Sequence, residues 1–149
     1  MNQTDPAQIP PQAPSTTATG WRQFYQYWLP VVCWMGLIFY LSSSSKAGSP
    51  LFDMGIHDFF VKKTAHVAEY ALLYLLLFRA FHSGISGPNA RSKAFLCSAI
   101  IAILYAASDE YHQTFVPLRE GRLRDVLIDT FGIFLMYLFL RRNASKTQK

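Results

Sequence analysis

Four apolar runs with few charges set the terms on which this chain can fold. They cover Phe24–Leu41, Ala65–Phe81, Ala94–Ala107 and Val126–Leu140, and polar or charged stretches bound each of them. Charge is concentrated between the runs, which is the pattern of helices that cross a lipid bilayer. Trp21, Tyr25, Tyr27 and Trp28 stand at the start of the first run, where amphipathic rings favour a membrane interface. The expected fold is therefore all-α, an integral membrane bundle of about four transmembrane helices with a polar cluster at one end.

Length tempers that reading. The third and fourth runs hold 14 and 15 residues, short of the roughly 20 that a spanning helix needs. A soluble helical core is the rival fold. Extending the helices over Ser92–Glu110 and Arg122–Arg142 restores spanning length and carries charged groups into one end of the bundle. Composition favours the membrane: 51% of the residues are hydrophobic and only 15% charged, against roughly 25% charged in soluble domains. Cys33 and Cys97 each lie inside an apolar run, so they read as small hydrophobes and imply no disulfide.

Residues 1–20 contain Pro6, Pro10, Pro11 and Pro14 among Gln, Thr and Ala. Such a stretch buries too little apolar surface to offset its ordering entropy, and a disordered tail is expected. A membrane domain over residues 21–142 and a basic tail over 143–149 complete the division. Pro30 falls near the first turn of the first expected helix, where a missing N–H costs least. A signal peptide is the competing account of the first run, since Ser45-Lys46-Ala47 loosely resembles a cleavage site. The long polar tail before it, with Arg22 as its one basic residue, argues for a retained helix. The serine-rich segment from Leu41 to Pro50 reads as a loop, and Ile56–Phe60 as a short interfacial helix.

The net charge is +5. Its aromatics lie within apolar runs and its basic residues at their ends, so nucleic acid is not an expected partner. With the N-terminus inside, the inner segments hold eight Lys and Arg: Arg22, Arg79, Arg91, Lys93, Arg141, Arg142, Lys146 and Lys149. The outer loops hold six: Lys46, Lys62, Lys63, Arg119, Arg122 and Arg124. That bias favours both termini inside. An even number of spans also puts the first and third connections on one side.

The third connection is chemically dense. From Ser108 to Asp129 the chain packs Asp109, Glu110, Gln113, Arg119, Glu120, Arg122, Arg124 and Asp125 between two apolar runs. Ionisable groups so placed are costly unless they pair or do a job. Helix parity brings them beside the Lys63-Thr-Ala-His66-Val-Ala-Glu69-Tyr70 segment. Lys63, His66 and Tyr70 share one helix face by their spacing, as do Tyr105, Asp109 and Gln113, and then Arg122, Asp125 and Asp129. Asp125 suits a helix N-terminus, and Asp129, one turn deeper, needs a partner. Arg119 or Arg122 with Asp109 or Asp125 could hold helix ends together as bidentate pairs.

The motifs Lys63-x-x-His66-x-x-x-Tyr70, Asp109-Glu110-x-x-Gln113-x-Phe115-x-Pro117-x-Arg119 and Asp125-x-x-x-Asp129-x-x-Gly132 resemble the VanZ-like family of small bacterial membrane proteins. The resemblance covers about Leu37 to Leu140; Leu118 departs from it, since the family often has Gly between Pro and Arg. It implies a multi-pass protein of the bacterial cytoplasmic (inner) membrane. The family is named for a member linked to resistance to the glycopeptide teicoplanin, so a role in glycopeptide response is implied with it.

Two chemistries suit the cluster. The first is recognition of an anionic cell-envelope molecule: a lipid headgroup, a lipid-linked precursor or a peptidoglycan peptide. Lys63, Arg119 and Arg122 would clamp its phosphate or carboxylate, with Gln113 and Tyr70 as neutral donors. His66, Asp109, Glu110, Asp125 and Asp129 complete the expected ligand-binding set. The second is a phosphoryl- or acyl-transfer enzyme acting on a lipid-linked substrate, with His66, Glu110 or Asp109 as catalytic candidates. No Gly-x-Ser-x-Gly elbow or nearby Cys offers a nucleophile. No cofactor or metal is expected, because His66-x-x-Glu69 is a weak signal; a variant with His66, Glu69, Asp109 and Glu110 as ligands stays open. Membrane lipids are the expected partners, a homo-oligomer is compatible with the sequence, and transport would require one.

Overall fold

The computed structural model describes residues 16–43, 56–117 and 121–146. All its regular elements are helical, with no strand among the described residues. The first rod consists of α1 (Thr16–Gln23), a π-helical stretch (Phe24–Trp28) and α2 (Leu29–Ser43), without a break between them. Three further helices follow: α3 (Ile56–Gly84), α4 (Ala90–Gln113) and α5 (Leu123–Lys146).

The helices are longer than the apolar runs that foretold them. Helix α3 absorbs the separate short helix expected at Ile56–Phe60. The first rod is helical from Thr16, inside the expected tail, and Leu41–Ser43 belong to α2 rather than to the following loop. Helix α4 runs on to Gln113, beyond Glu110. At the end of α2 the cause is visible, since Ser42 finds a carboxylate on a neighbouring helix, and at the end of α4 Gln113 finds two on its own.

Pro30 requires a second correction. It lies deep within the first rod, not near its first turn, and the π-helical stretch immediately precedes it. Its ring would clash with the carbonyl of Gln26, and it has no N–H to offer that carbonyl. The turn widens instead, and Leu29 N–H reaches back five residues to the Phe24 carbonyl.

At the α3–α4 turn, Gly87 and Asn89 adopt positive φ angles of 92° and 62°. Glycine tolerates that region freely, and asparagine better than most residues.

Helix α3 is the centre of the bundle. Its Tyr70, Leu73, Tyr74, Leu77 and Ala80 are buried, together with Val31 and Ile38 of α2, Ala102 and Ala106 of α4, and Ile133 of α5. Polar side chains within this packing find carbonyls on neighbouring helices. Trp34 Nε1 donates to Glu69 O at 3.0 Å, and Tyr105 Oη to Met35 O at 2.6 Å. Helix α5 packs most extensively against α3, and Gly132 sets how closely. A Cβ built there would lie 2.3 Å from the Val67 carbonyl oxygen, so the two backbones meet at a distance that only glycine allows.

The outer surface is apolar. Val32, Phe39 and Tyr40 on α2, Leu96, Ile100 and Leu104 on α4, and Phe131, Phe134 and Phe139 on α5 are all exposed. Two helical stretches, Gly20–Ser43 and Ala90–Gln113, are long and apolar enough to cross a membrane. Only 11% and 22% of their most apolar windows is buried, the reverse of a soluble core helix, and exposed apolar area on this scale points to a membrane protein. An apolar groove of about 410 Å³, lined by Tyr74, Phe95, Ala99, Thr130, Phe134 and Tyr137, opens between α4 and α5. None of the charged residues described next lines it.

Candidate functional site

Four helix ends meet at one end of the bundle: the C-termini of α2 and α4, and the N-termini of α3 and α5. Ser42 of α2 donates to Asp109 Oδ1 of α4 at 2.5 Å. Lys63 Nζ of α3 donates to Asp125 Oδ1 of α5 at 2.5 Å, and Arg124 Nε stands 3.7 Å from the same oxygen. One turn deeper, His66 Nδ1 lies 3.2 Å from Asp129 Oδ1. The sequence left Asp129 in need of a partner, and His66 is that partner.

Gly132 explains why this pair can form. It lies three residues after Asp129 on α5 and touches Val67, the residue after His66 on α3. The close backbone approach therefore falls within one turn of the His66–Asp129 contact. A bulkier residue at 132 would separate the helices where the pair needs them close.

The α4 end is organised around Gln113. Its Nε2 donates to Asp109 Oδ2 and to Glu110 Oε1, each at 3.1 Å. The other Glu110 oxygen accepts the backbone N–H of Arg122 at 3.0 Å. Gly121 makes that return of the chain feasible, since a Cβ there would come within 2.1 Å of the Glu110 carbonyl oxygen. Asp109, Glu110 and Gln113 are all buried, and so is Asp129.

The site thus has two levels. Lys63 and Asp125 form a rim, their side chains 21% and 15% exposed, with Arg122 and Arg124 exposed beside them. Beneath lies a floor of His66, Asp109, Glu110 and Asp129, with the buried Tyr70 near its carboxylates. Asp129 is wholly buried, and its Oδ2 has no hydrogen-bond partner among the described residues. The Tyr70 hydroxyl is likewise buried without one. Buried polar atoms of this kind are few in folded proteins, and each asks for an explanation.

Of the expected site residues, Lys63, His66, Tyr70, Asp109, Glu110, Gln113, Asp125 and Asp129 come together at this end. Arg119 lies outside the described residues. Asp125 sits in the first turn of α5, the helix N-terminus it was expected to suit, and its carboxylate also meets Lys63. Other expected roles change. Among the described residues, Asp109 is held by Ser42 and Gln113 rather than by an arginine fork. Gln113 directs its amide N–H groups at two carboxylates of the site itself. Ser42 escaped the sequence reading: one hydroxyl in a run of four serines carries no pattern. Ser108, which opens the charged stretch, donates its hydroxyl to the Tyr105 carbonyl as an exposed helix residue.

The arrangement holds a histidine oriented by a buried carboxylate, an acidic floor and a basic rim. Residues 27–143 match the family model described as VanZ/LLP1, and the chain belongs to that family. No curated protein and no solved structure matches it significantly.

Proposed function

Taking membership of that family as premise, we propose that the chain crosses the bacterial cytoplasmic membrane four times with both termini inside. At its outer surface the polar end would recognise an anionic cell-envelope molecule, such as a lipid headgroup, a lipid-linked precursor or a peptidoglycan peptide. One observation carries this reading: the rim over the buried floor holds three basic side chains, Lys63, Arg122 and Arg124, against one carboxylate, Asp125, where four helix ends converge. Such a rim attracts phosphate or carboxylate groups at a membrane surface, and guanidinium groups bind them in a fork. Arg119 belongs to the same connection in sequence. The exposed apolar faces of α2, α4 and α5 support a lipid surround.

Topology is tested with single cysteines at Ser45, Asn89 and Glu120, after replacing Cys33 and Cys97 with alanine. A membrane-impermeant thiol reagent on intact cells should label positions 45 and 120 and spare 89. Labelling of 45 and 120 on opposite sides would end the four-span reading. Binding is tested by titrating short-chain phosphatidylglycerol into the purified protein. Arg119→Lys should weaken it at least about tenfold, which is about 1.4 kcal/mol, while His66→Gln changes it little.

A second reading, phosphoryl or acyl transfer on a lipid-linked substrate, draws on the His66–Asp129 pair, in which a carboxylate orients a histidine as it would a general base. Loss of cellular function in His66→Gln with headgroup binding intact would favour it.

A further inference from the structure

We propose that His66, Glu110 and Asp129 bind a divalent transition-metal ion in the floor of the site. The three residues come from α3, α4 and α5, and the metal variant left open by the sequence held His66 and Glu110 without Asp129. Each offers one ligand atom, an imidazole nitrogen or a carboxylate oxygen, and these atoms all lie within 4.8 Å of one another. On one ion with bonds of about 2.1 Å, neighbouring ligand atoms stand roughly 3.0–3.4 Å apart.

Two independent observations point the same way. Asp129 Oδ2 is wholly buried and unpartnered among the described residues, while Oδ1 of the same carboxylate faces His66. A cation between His66 and Glu110 would take up that free oxygen. The second observation is charge. Glu110 and Asp129 are two buried carboxylates beside one imidazole, and a divalent ion makes the trio neutral, which offsets their desolvation.

The surroundings also resemble a supporting layer. Gln113 and the Arg122 N–H hold both oxygens of Glu110 in place, and Ser42 with Gln113 fixes the adjacent Asp109. Outer partners of this kind orient metal ligands and raise affinity.

One nitrogen and two oxygens suit zinc, a borderline ion, or manganese, a harder one that takes carboxylates, better than calcium, which takes six or more oxygens. Three protein ligands leave positions open for water or a bound molecule. The metal proposal stands apart from the headgroup reading: it concerns the floor, and its test contains no lipid.

The test uses the full chain, purified in detergent with any affinity tag removed, stripped with a chelator and titrated with zinc or manganese by calorimetry. One equivalent should bind, and His66→Gln, Glu110→Gln and Asp129→Asn should each weaken binding by more than about tenfold. Ser108→Ala, an exposed helix position, should bind as the parent does. Circular dichroism and gel filtration establish which variants stay folded, and any one folded variant of the three decides the matter. Failure of both ions to bind the parent, or unchanged binding in a folded variant, overturns the proposal.

Discussion

Gly132→Ala is the sharpest perturbation the packing suggests. The new methyl carbon would start 2.3 Å from the Val67 carbonyl oxygen, and 3.0 and 3.1 Å from its carbonyl carbon and Cα. Ordinary contact begins at 3.4 Å, so α3 and α5 must part by about 1 Å at this level. Overpacking of that size costs about 1–3 kcal/mol. The larger effect is local: His66 and Asp129 already stand at 3.2 Å, and a further ångström ends their hydrogen bond. Denaturant unfolding in detergent reads the first consequence. Imidazole chemical shifts of His66, from a histidine-labelled sample, read the second. Because the clash is with backbone, Val67→Ala should not rescue Gly132→Ala, whereas a side-chain clash would be relieved by it. Rescue by Val67→Ala, or a Gly132→Ala protein with parental stability and His66 shifts, would refute the account of Gly132 as the spacer of the site.

Three other changes test separate contacts. Ser42→Ala removes the donor to Asp109 Oδ1 and leaves a buried carboxylate oxygen short of a bond, so unfolding free energy should fall by about 1–3 kcal/mol. Lys63→Met should cost about 1 kcal/mol or less, because the rim is partly exposed and Arg124 stands near Asp125; the loss should shrink as salt is raised in the same unfolding assay. Gly121→Ala meets the Glu110 carbonyl at 2.1 Å and must displace the Arg122 N–H from the Glu110 carboxylate. Amide exchange at Arg122 should therefore accelerate relative to the rest of α5.

Much of this was legible in the chain, for physical reasons that differ by residue. The helices followed from apolar runs, because a long run of such side chains has few other ways to satisfy its backbone. Parity then paired the Lys63–Tyr70 face with the Asp109–Asp129 stretch, and the structure joins them through Lys63–Asp125 and His66–Asp129. Helix ends were the weak point: Ser42 at the end of α2 finds its partner on α4, and Gln113 folds back onto Asp109 and Glu110, contacts that a one-dimensional pattern of apolar runs cannot register. The widened turn before Pro30 was hidden for a related reason, since the helix was expected to start only six residues earlier. Gly132 belonged to the motif Asp125-x-x-x-Asp129-x-x-Gly132, yet its role as a spacer depends on Val67, which no spacing along the chain connects to it.

The helices also differ in how readily each could enter a bilayer alone. Gly20–Ser43 and Ala90–Gln113 satisfy the requirement for a span by their own length and hydropathy, whereas α3 and α5, the most extensively packed pair, do not. If all four cross, the self-sufficient segments alternate along the chain with the dependent ones. During synthesis each dependent helix would then emerge after a self-sufficient one, with a ready surface against which to shelter His66 or Asp129. Assembly would be sequential: the second dependent helix can be retained only once the first offers its partner, so a charge change at Asp129 should alter membrane retention of α5 as well as the chemistry of the finished site.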